Sequence, residues 1–151
     1  CKKVASYLKS AKGKLLAGGK IDGSFAEPTI FDDVKRGDKL AREEIFGPVL
    51  SVITVRSFDE AIEIANDTDY GLTASVFTGN GRKALRAARA IRAGTVTVNC
   101  YGEGDISTPF GGYKQSGFGG RDNGIHAHDQ YTEIKTIWVD LGDPAAGDKV
   151  E

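Results

Sequence analysis

The chain has 151 residues, enough for one domain with its own hydrophobic core. Its 20 basic and 21 acidic side chains nearly cancel, which leaves no electrostatic case for nucleic acid or an anionic membrane as a partner. No apolar run reaches the length of a membrane span, and no leader segment is visible. Cys1 and Cys100, with no Cys-x-x-Cys, speak against a disulfide scaffold or a zinc site and fit a reducing, cytoplasmic setting. There is no methionine, so the expectation is a piece of a longer protein or a processed product.

The first residues read as the inside of a helix that ends near Gly13, with Val4, Leu8 and Ala11 on one face. Leu15 to Ala17 is a short apolar segment closed by Gly18 and Gly19, and residues 20 to 26 read as a polar loop. Pro28 to Phe31 has the composition of a strand, and Asp32 to Lys39 that of a charged surface connection.

Glu43-Glu44-Ile45-Phe46-Gly47-Pro48 comes next and carries the first chemistry. A carboxylate can accept two hydrogen bonds from a vicinal diol such as a ribose. An aromatic two residues on can offer a flat face to a ring. The plainer reading of the same letters is a helical turn with exposed acids entering a strand.

Val49 to Val55 is apolar on both faces and reads as a central strand covered on both sides. Ser57-Phe58-Asp59-Glu60 has the form of a capping box, and Phe58, Ala61, Ile62 and Ala65 carry a helix to about Asn66. Tyr70 to Leu72 turns the chain into a strand over Thr73 to Thr78. Asn80 can cap a helix whose inward face is Ala84, Leu85, Ala88 and Ile91, with Gly94 as its C′ residue. Arg82, Arg86 and Arg89 fall on the outer face and read as solvated charge.

Thr95 to Asn99 alternates as a strand, and the glycine-rich stretch from Cys100 to Gly120 reads as a loop of the kind that lines a site. Arg121 to His128 fits a short helix, and Tyr131 to Asp140 a strand with Ile134, Thr136 and Trp138 on one face. His126 and His128 lack a third ligand for a metal. Gly117-Phe118-Gly119-Gly120 does not follow a strand in a βαβ unit, so it fails as a dinucleotide fingerprint. The order of elements argues for an α/β fold, a mostly parallel twisted sheet with helices on its faces.

Ala41-Arg42-Glu43-Glu44-Ile45-Phe46-Gly47-Pro48 resembles a signature of the NAD(P)-dependent aldehyde dehydrogenases. Gly94-Thr95-Val96-Thr97-Val98-Asn99-Cys100 and Pro109-Phe110-Gly111-Gly112-Tyr113-Lys114-Gln115-Ser116-Gly117 follow in the same order as in that family. The resemblance is greatest to the branch acting on amino-aldehydes such as gamma-glutamyl-aminobutyraldehyde. It implies a three-layer α/β/α C-terminal part of the catalytic domain over residues 1–128, an oligomerisation strand at 129–141 and a flexible tail at 142–151. It also implies NAD or NADP as cofactor, an aldehyde as substrate, and a homodimer or homotetramer assembled through the strand Tyr131 to Val139.

By the same resemblance Glu44 would bind the hydroxyls of the nicotinamide ribose and Phe46 would brace the nicotinamide end, while Glu43 faces solvent or a base. Phe110 would wall the aldehyde channel, where the alternative is a core aromatic anchoring the loop. Glu103, Gly104 and Asp105 occupy a stretch where the family varies its pocket, and a carboxylate there would favour a cationic amino-aldehyde; the alternative is exposed loop acid. Cys100 has no base near it in sequence, and neither Cys100 nor Asn99 stands in the family's nucleophile or oxyanion position. The chain alone is therefore expected to be inactive. Two other readings stay open: a stand-alone interaction module, and part of an acyl-CoA-forming semialdehyde dehydrogenase.

Overall fold

The computed structural model describes residues 1–102 and 104–142. Glu103 and the tail from 143 onward lie outside the described residues. The elements are α1 (Lys2–Ser10), β1 (Lys14–Ala17), β2 (Ile21–Asp22), β3 (Phe25–Ala26), β4 (Thr29–Asp32), α2 (Lys39–Arg42) and β5 (Val49–Ser51), followed by α3 (Phe58–Asn66), β6 (Tyr70–Gly71), β7 (Thr73–Val76), α4 (Gly81–Ala90), β8 (Thr95–Val98), β9 (Tyr113–Lys114) and a 3-10 turn at Ile125–Gln130. This is a mixed α/β fold with parallel pairs β4–β5 and β7–β8. Antiparallel pairing joins β1 to β4, β2 to β3 and β6 to β9.

The main core forms where α1 lies under β4 and α2: Val4, Tyr7, Phe31, Val34, Leu40 and Ile45 are buried together. Ile45 belongs to the acidic turn, so burying it fixes that turn onto the core. A second, smaller packing region holds Ala84 and Ala87 of α4. Both later helices start as their sequences dictate. Ser57 Oγ accepts from the Glu60 amide at 3.1 Å, and Asn80 Oδ1 from the Lys83 amide at 3.0 Å, each satisfying one orphan donor of a first turn. The return arm of the box is displaced by one residue, because Glu60 accepts from the Arg56 amide at 2.7 Å and not from Ser57.

Several expectations are corrected. Residues 20 to 26 form the β2–β3 hairpin around Gly23 and Ser24, with Gly23 at φ 55. The apolar run from Val49 is a strand only to Ser51, with Val52 still bonded to Phe31 and Val34, and Leu50 is 57 % exposed, so one face of β5 is open in this chain. Leu85 is 62 % exposed; the alternation of small residues turns Ala84 and Ala87 inward instead. Gly94 does not cap α4, which closes at Ile91 in extended conformation. Arg121 to His128 is not an α-helix but gives way to the 3-10 turn. Tyr131 to Asp140 forms no strand, since a strand needs a hydrogen-bonding neighbour and none stands beside it among the described residues.

A charged cluster ties α2 to the end of α3. Arg42 Nη1 lies 3.1 Å from Asp67 Oδ1, Arg36 Nη2 3.1 Å from Asp67 Oδ2, and Arg36 Nη1 2.9 Å from Glu63 Oε1. Asp67 caps the C-terminus of α3, where an anion faces the negative end of the helix dipole, and the two guanidinium groups offset that. Their hydrogen bonds, Arg42 first, hold the Asp67 carboxyl below the usual carboxylate range. A depressed carboxyl stabilises the fold above its unfolded pKa, about 4, and that contribution disappears as pH falls through the folded value. Asp67→Asn is therefore expected to lower the thermal midpoint at neutral pH and to match the parent at strongly acid pH. A gap between the two that persists in acid would contradict this.

Candidate functional site

The acidic turn is built on α1. Glu43 follows α2 in extended conformation (φ −117, ψ 147), so Glu43 and Glu44 point to opposite sides. The buried Tyr7 donates its hydroxyl to Glu43 Oε2 at 2.7 Å, and Lys39 Nζ stands 3.9 Å from Oε1. That hydrogen bond, with some burial, raises the Tyr7 phenol above its ordinary pKa. Lys3 Nζ donates to the Glu44 carbonyl at 2.9 Å and lies 5.3 Å from the Phe46 ring centroid. Gly47 is required by close approach: a Cβ there would stand 2.6 Å from Val4 Cγ2.

Two side chains of the turn are left over. The Glu44 carboxylate is exposed and has no hydrogen-bond or ion-pair partner among the described residues. Phe46 is 84 % exposed and has φ 53, a left-handed conformation that costs a bulky residue about 1–2 kcal/mol. An unpaired carboxylate two residues from a largely exposed aromatic ring, which Lys3 approaches, can accept from a diol and support a flat ring, so the pair fits a nucleoside.

The second cluster surrounds β7 and β8. A hollow of about 280 Å³ is lined by Thr73, Ser75, Thr95, Thr97, Tyr101, Gly104 and Phe110, among others. A second hollow of about 380 Å³ shares Thr95, Gly104 and Phe110 and adds Asp105, Ile106 and Asn123. Phe110 is 38 % exposed and its backbone is tied to Asp122 by two hydrogen bonds of 2.7 Å. Asp105 accepts from the Ser107 amide at 2.8 Å and from the Ser107 hydroxyl, which hold its carboxyl below the usual range and keep it ionised at neutral pH. Phe110, Gly104 and Asp105 are thus brought together; Glu44 and Phe46 line neither hollow.

The strand hydroxyls of this hollow escaped the sequence reading. Their signal was present: Thr73-x-Ser75 and Thr95-x-Thr97 alternate, and parallel register sets Thr73 beside Thr95 and Ser75 beside Thr97. Also missed was Lys114. Its ammonium donates to the carbonyls of Asn66 and Thr68, each at 2.9 Å, which places a cation on the C-terminal end of α3. Ser116 Oγ accepts from the Gly71 amide at 3.0 Å, so the glycine loop is bolted to both α3 and β6. Gly94 meets this loop backbone to backbone: a Cβ there would stand 1.6 Å from the Gly111 carbonyl oxygen.

Asn99 spans the gap between strand ends, accepting from the Thr78 amide at 2.8 Å and donating to the Thr78 carbonyl at 3.0 Å. Its part is structural. Cys100 is half-buried and has no histidine or carboxylate bonded to it among the described residues. No group of three metal-ligating side chains gathers among the described residues, and no helix there is long and apolar enough to cross a membrane.

Residues 1–137 match the model of the aldehyde dehydrogenase family. The chain is 61 % identical to an aminoacetaldehyde dehydrogenase of Pseudomonas aeruginosa, over 91 % of this chain and 29 % of that protein. Its structure resembles an indole-3-acetaldehyde dehydrogenase solved with NAD+, with a TM-score of 0.87 and 52 % identity over 93 % of this chain and 30 % of that one. A gamma-glutamyl-gamma-aminobutyraldehyde dehydrogenase of Burkholderia cenocepacia superposes with a TM-score of 0.83 and 52 % identity, covering 89 % of this chain and 28 % of the other. The chain therefore spans about three tenths of the length of the relatives it matches.

Proposed function

The chain belongs to the aldehyde dehydrogenase family, and on that premise we propose that it supplies the nicotinamide-ribose contact and part of the aldehyde channel of an NAD(P)-dependent enzyme oxidising an aldehyde to a carboxylic acid. The observation that carries the reading is the Glu44 carboxylate, unpartnered among the described residues, two positions from the exposed ring of Phe46, within the stretch that matches the family. The dinucleotide, when bound, supplies the hydride acceptor. Glu44 accepts the two hydroxyls of the ribose and so limits rotation of the sugar, and Phe46 blocks sideways drift of the ring it supports. Phe110 contributes an apolar wall that keeps water from the reacting carbon.

The substrate class is an amine-bearing aldehyde. Asp105, ionised on the rim beside Phe110, attracts a cationic amine through a charge-assisted contact. The relative at 61 % identity takes aminoacetaldehyde by name, which agrees. The nucleophile is taken to come from outside these residues, because Cys100 has no activating base bonded to it among the described residues. The 151 residues alone are expected to give no turnover with an aldehyde and NAD+. The longer enzyme containing them is expected to prefer amine-bearing over neutral aldehydes of equal length in kcat/KM. Turnover by the short chain, or equal kcat/KM for both aldehydes, would overturn this reading.

A homo-oligomeric, cytoplasmic enzyme follows from the same reading. The segment Tyr131 to Val139 lies exposed with Trp138 at 92 %, and a neighbouring subunit's sheet would give it the strand partner it lacks among the described residues. Sedimentation of the longer enzyme tests this, and a monomer at micromolar concentration would sink it.

A further inference from the structure

We propose that Tyr7 is a positioning residue for cofactor capture, its hydroxyl selecting Glu43 as the inward acid so that Glu44 is the one presented outward. The proposal deepens the reading of Glu44 as a ribose acceptor and rests on it. Two adjacent glutamates have the same charge and reach, so their chemistry does not settle which of them faces α1. The backbone is extended at Glu43 and sends neighbours to opposite sides, so holding one acid inward directs the other out. Tyr7 provides the inward donor: it is buried in the core and its hydroxyl lies 2.7 Å from Glu43 Oε2.

The rest of the turn depends on that choice. Exchanging the two acids would shift the register by one residue, take Ile45 out of the core and put Phe46 in its place. Phe46 also stands at φ 53, a conformation that persists only where its surroundings over-determine it. Ile45 and the Lys3 bond to the Glu44 carbonyl hold the backbone, whereas Tyr7 acts on a side chain of the pair itself. Tyr7 is also the anchor that can be disarmed without loss of packing, since phenylalanine keeps the ring.

The test uses the longer enzyme with Tyr7→Phe, Glu44→Gln and both together, titrating NAD+ by quenching of intrinsic fluorescence and recording thermal midpoints without NAD+. Tyr7→Phe is expected to raise the NAD+ dissociation constant roughly fivefold, and Glu44→Gln roughly tenfold or more. The double variant should match Glu44→Gln, because Tyr7 acts through Glu44; a purely structural role would instead multiply the two effects. Glu43→Gln keeps an acceptor for the hydroxyl and should bind like the parent, while Glu43→Ala should reproduce Tyr7→Phe and serves if Tyr7→Phe does not fold. Wild-type affinity in both Tyr7→Phe and Glu43→Ala alongside a weakened Glu44→Gln overturns the role of Tyr7 alone. Wild-type affinity in Glu44→Gln overturns this role in cofactor capture, and a wild-type hydride-transfer rate beside it overturns the reading of Glu44 as well.

Discussion

Glu44→Gln in the longer enzyme is expected to slow hydride transfer by about tenfold to a hundredfold, with the thermal midpoint unchanged. Glutamine keeps the length and one acceptor oxygen but loses the charge and the second acceptor. Hydrogen bonds to a charged group contribute about 1.5–3 kcal/mol, and each 1.4 kcal/mol is a factor of about ten. Stability should not follow, because the carboxylate is exposed and bonds to nothing else among the described residues. Single-turnover absorbance at the reduced-nicotinamide band, with an NAD+ titration beside it, separates orientation from affinity. A variant with the parent's rate and the parent's affinity would rule out a ribose contact. A variant with a falling thermal midpoint would show that Glu44 holds the turn and not the ligand.

The second large effect is on the fold. Gly94→Ala places a carbon 1.6 Å from the Gly111 carbonyl oxygen, and that neighbour is backbone within a loop already fixed by Lys114 and Ser116. No side-chain rotation relieves the overlap, so β8 or the loop must move. A loss of about 4 kcal/mol or more is expected, which for a chain of this size is a drop of about 8–16 °C in thermal midpoint, or no soluble protein. Gly79→Ala is the control. A Cβ there meets nothing within 4 Å, so the substitution should be neutral or stabilise by about 0.5 kcal/mol. Equal midpoints for the two variants would show that the Gly94–Gly111 approach is not under constraint. Because Phe110 adjoins Gly111, any surviving Gly94→Ala protein should also have altered aldehyde KM.

What the letters revealed and what they hid follows from the range of the forces involved. The starts of α3 and α4 were legible because a cap is a contact three residues long, as at Ser57 and Asn80. The acidic turn was legible as chemistry, but its local letters did not say which of Glu43 and Glu44 turns outward; only the family resemblance pointed to Glu44 and Phe46. The fate of Leu50 was not legible, since a run apolar on both faces is the same whether its second cover lies in this chain or elsewhere. Tyr131 to Val139 shows the same gap: alternation signals readiness to pair, and pairing needs a neighbour. Gly94 stood where a helix cap belongs, but its reason is a contact with Gly111, 17 positions away in sequence. Lys114 was invisible for a like cause, as its carbonyl partners are set by a long-range crossing of chain segments.

The ladder of β7 and β8 sets a condition on whatever lies against it. Ser75 and Thr97 bond each other at 2.9 Å, but Thr73 and Thr95, which line the same hollow, make no side-chain hydrogen bond among the described residues. An aliphatic lining pressed onto that side would strand each of those two hydroxyls, at about 1–3 kcal/mol apiece. The covering surface must therefore be amphiphilic there, or leave room for a thread of ordered water running parallel to the strands.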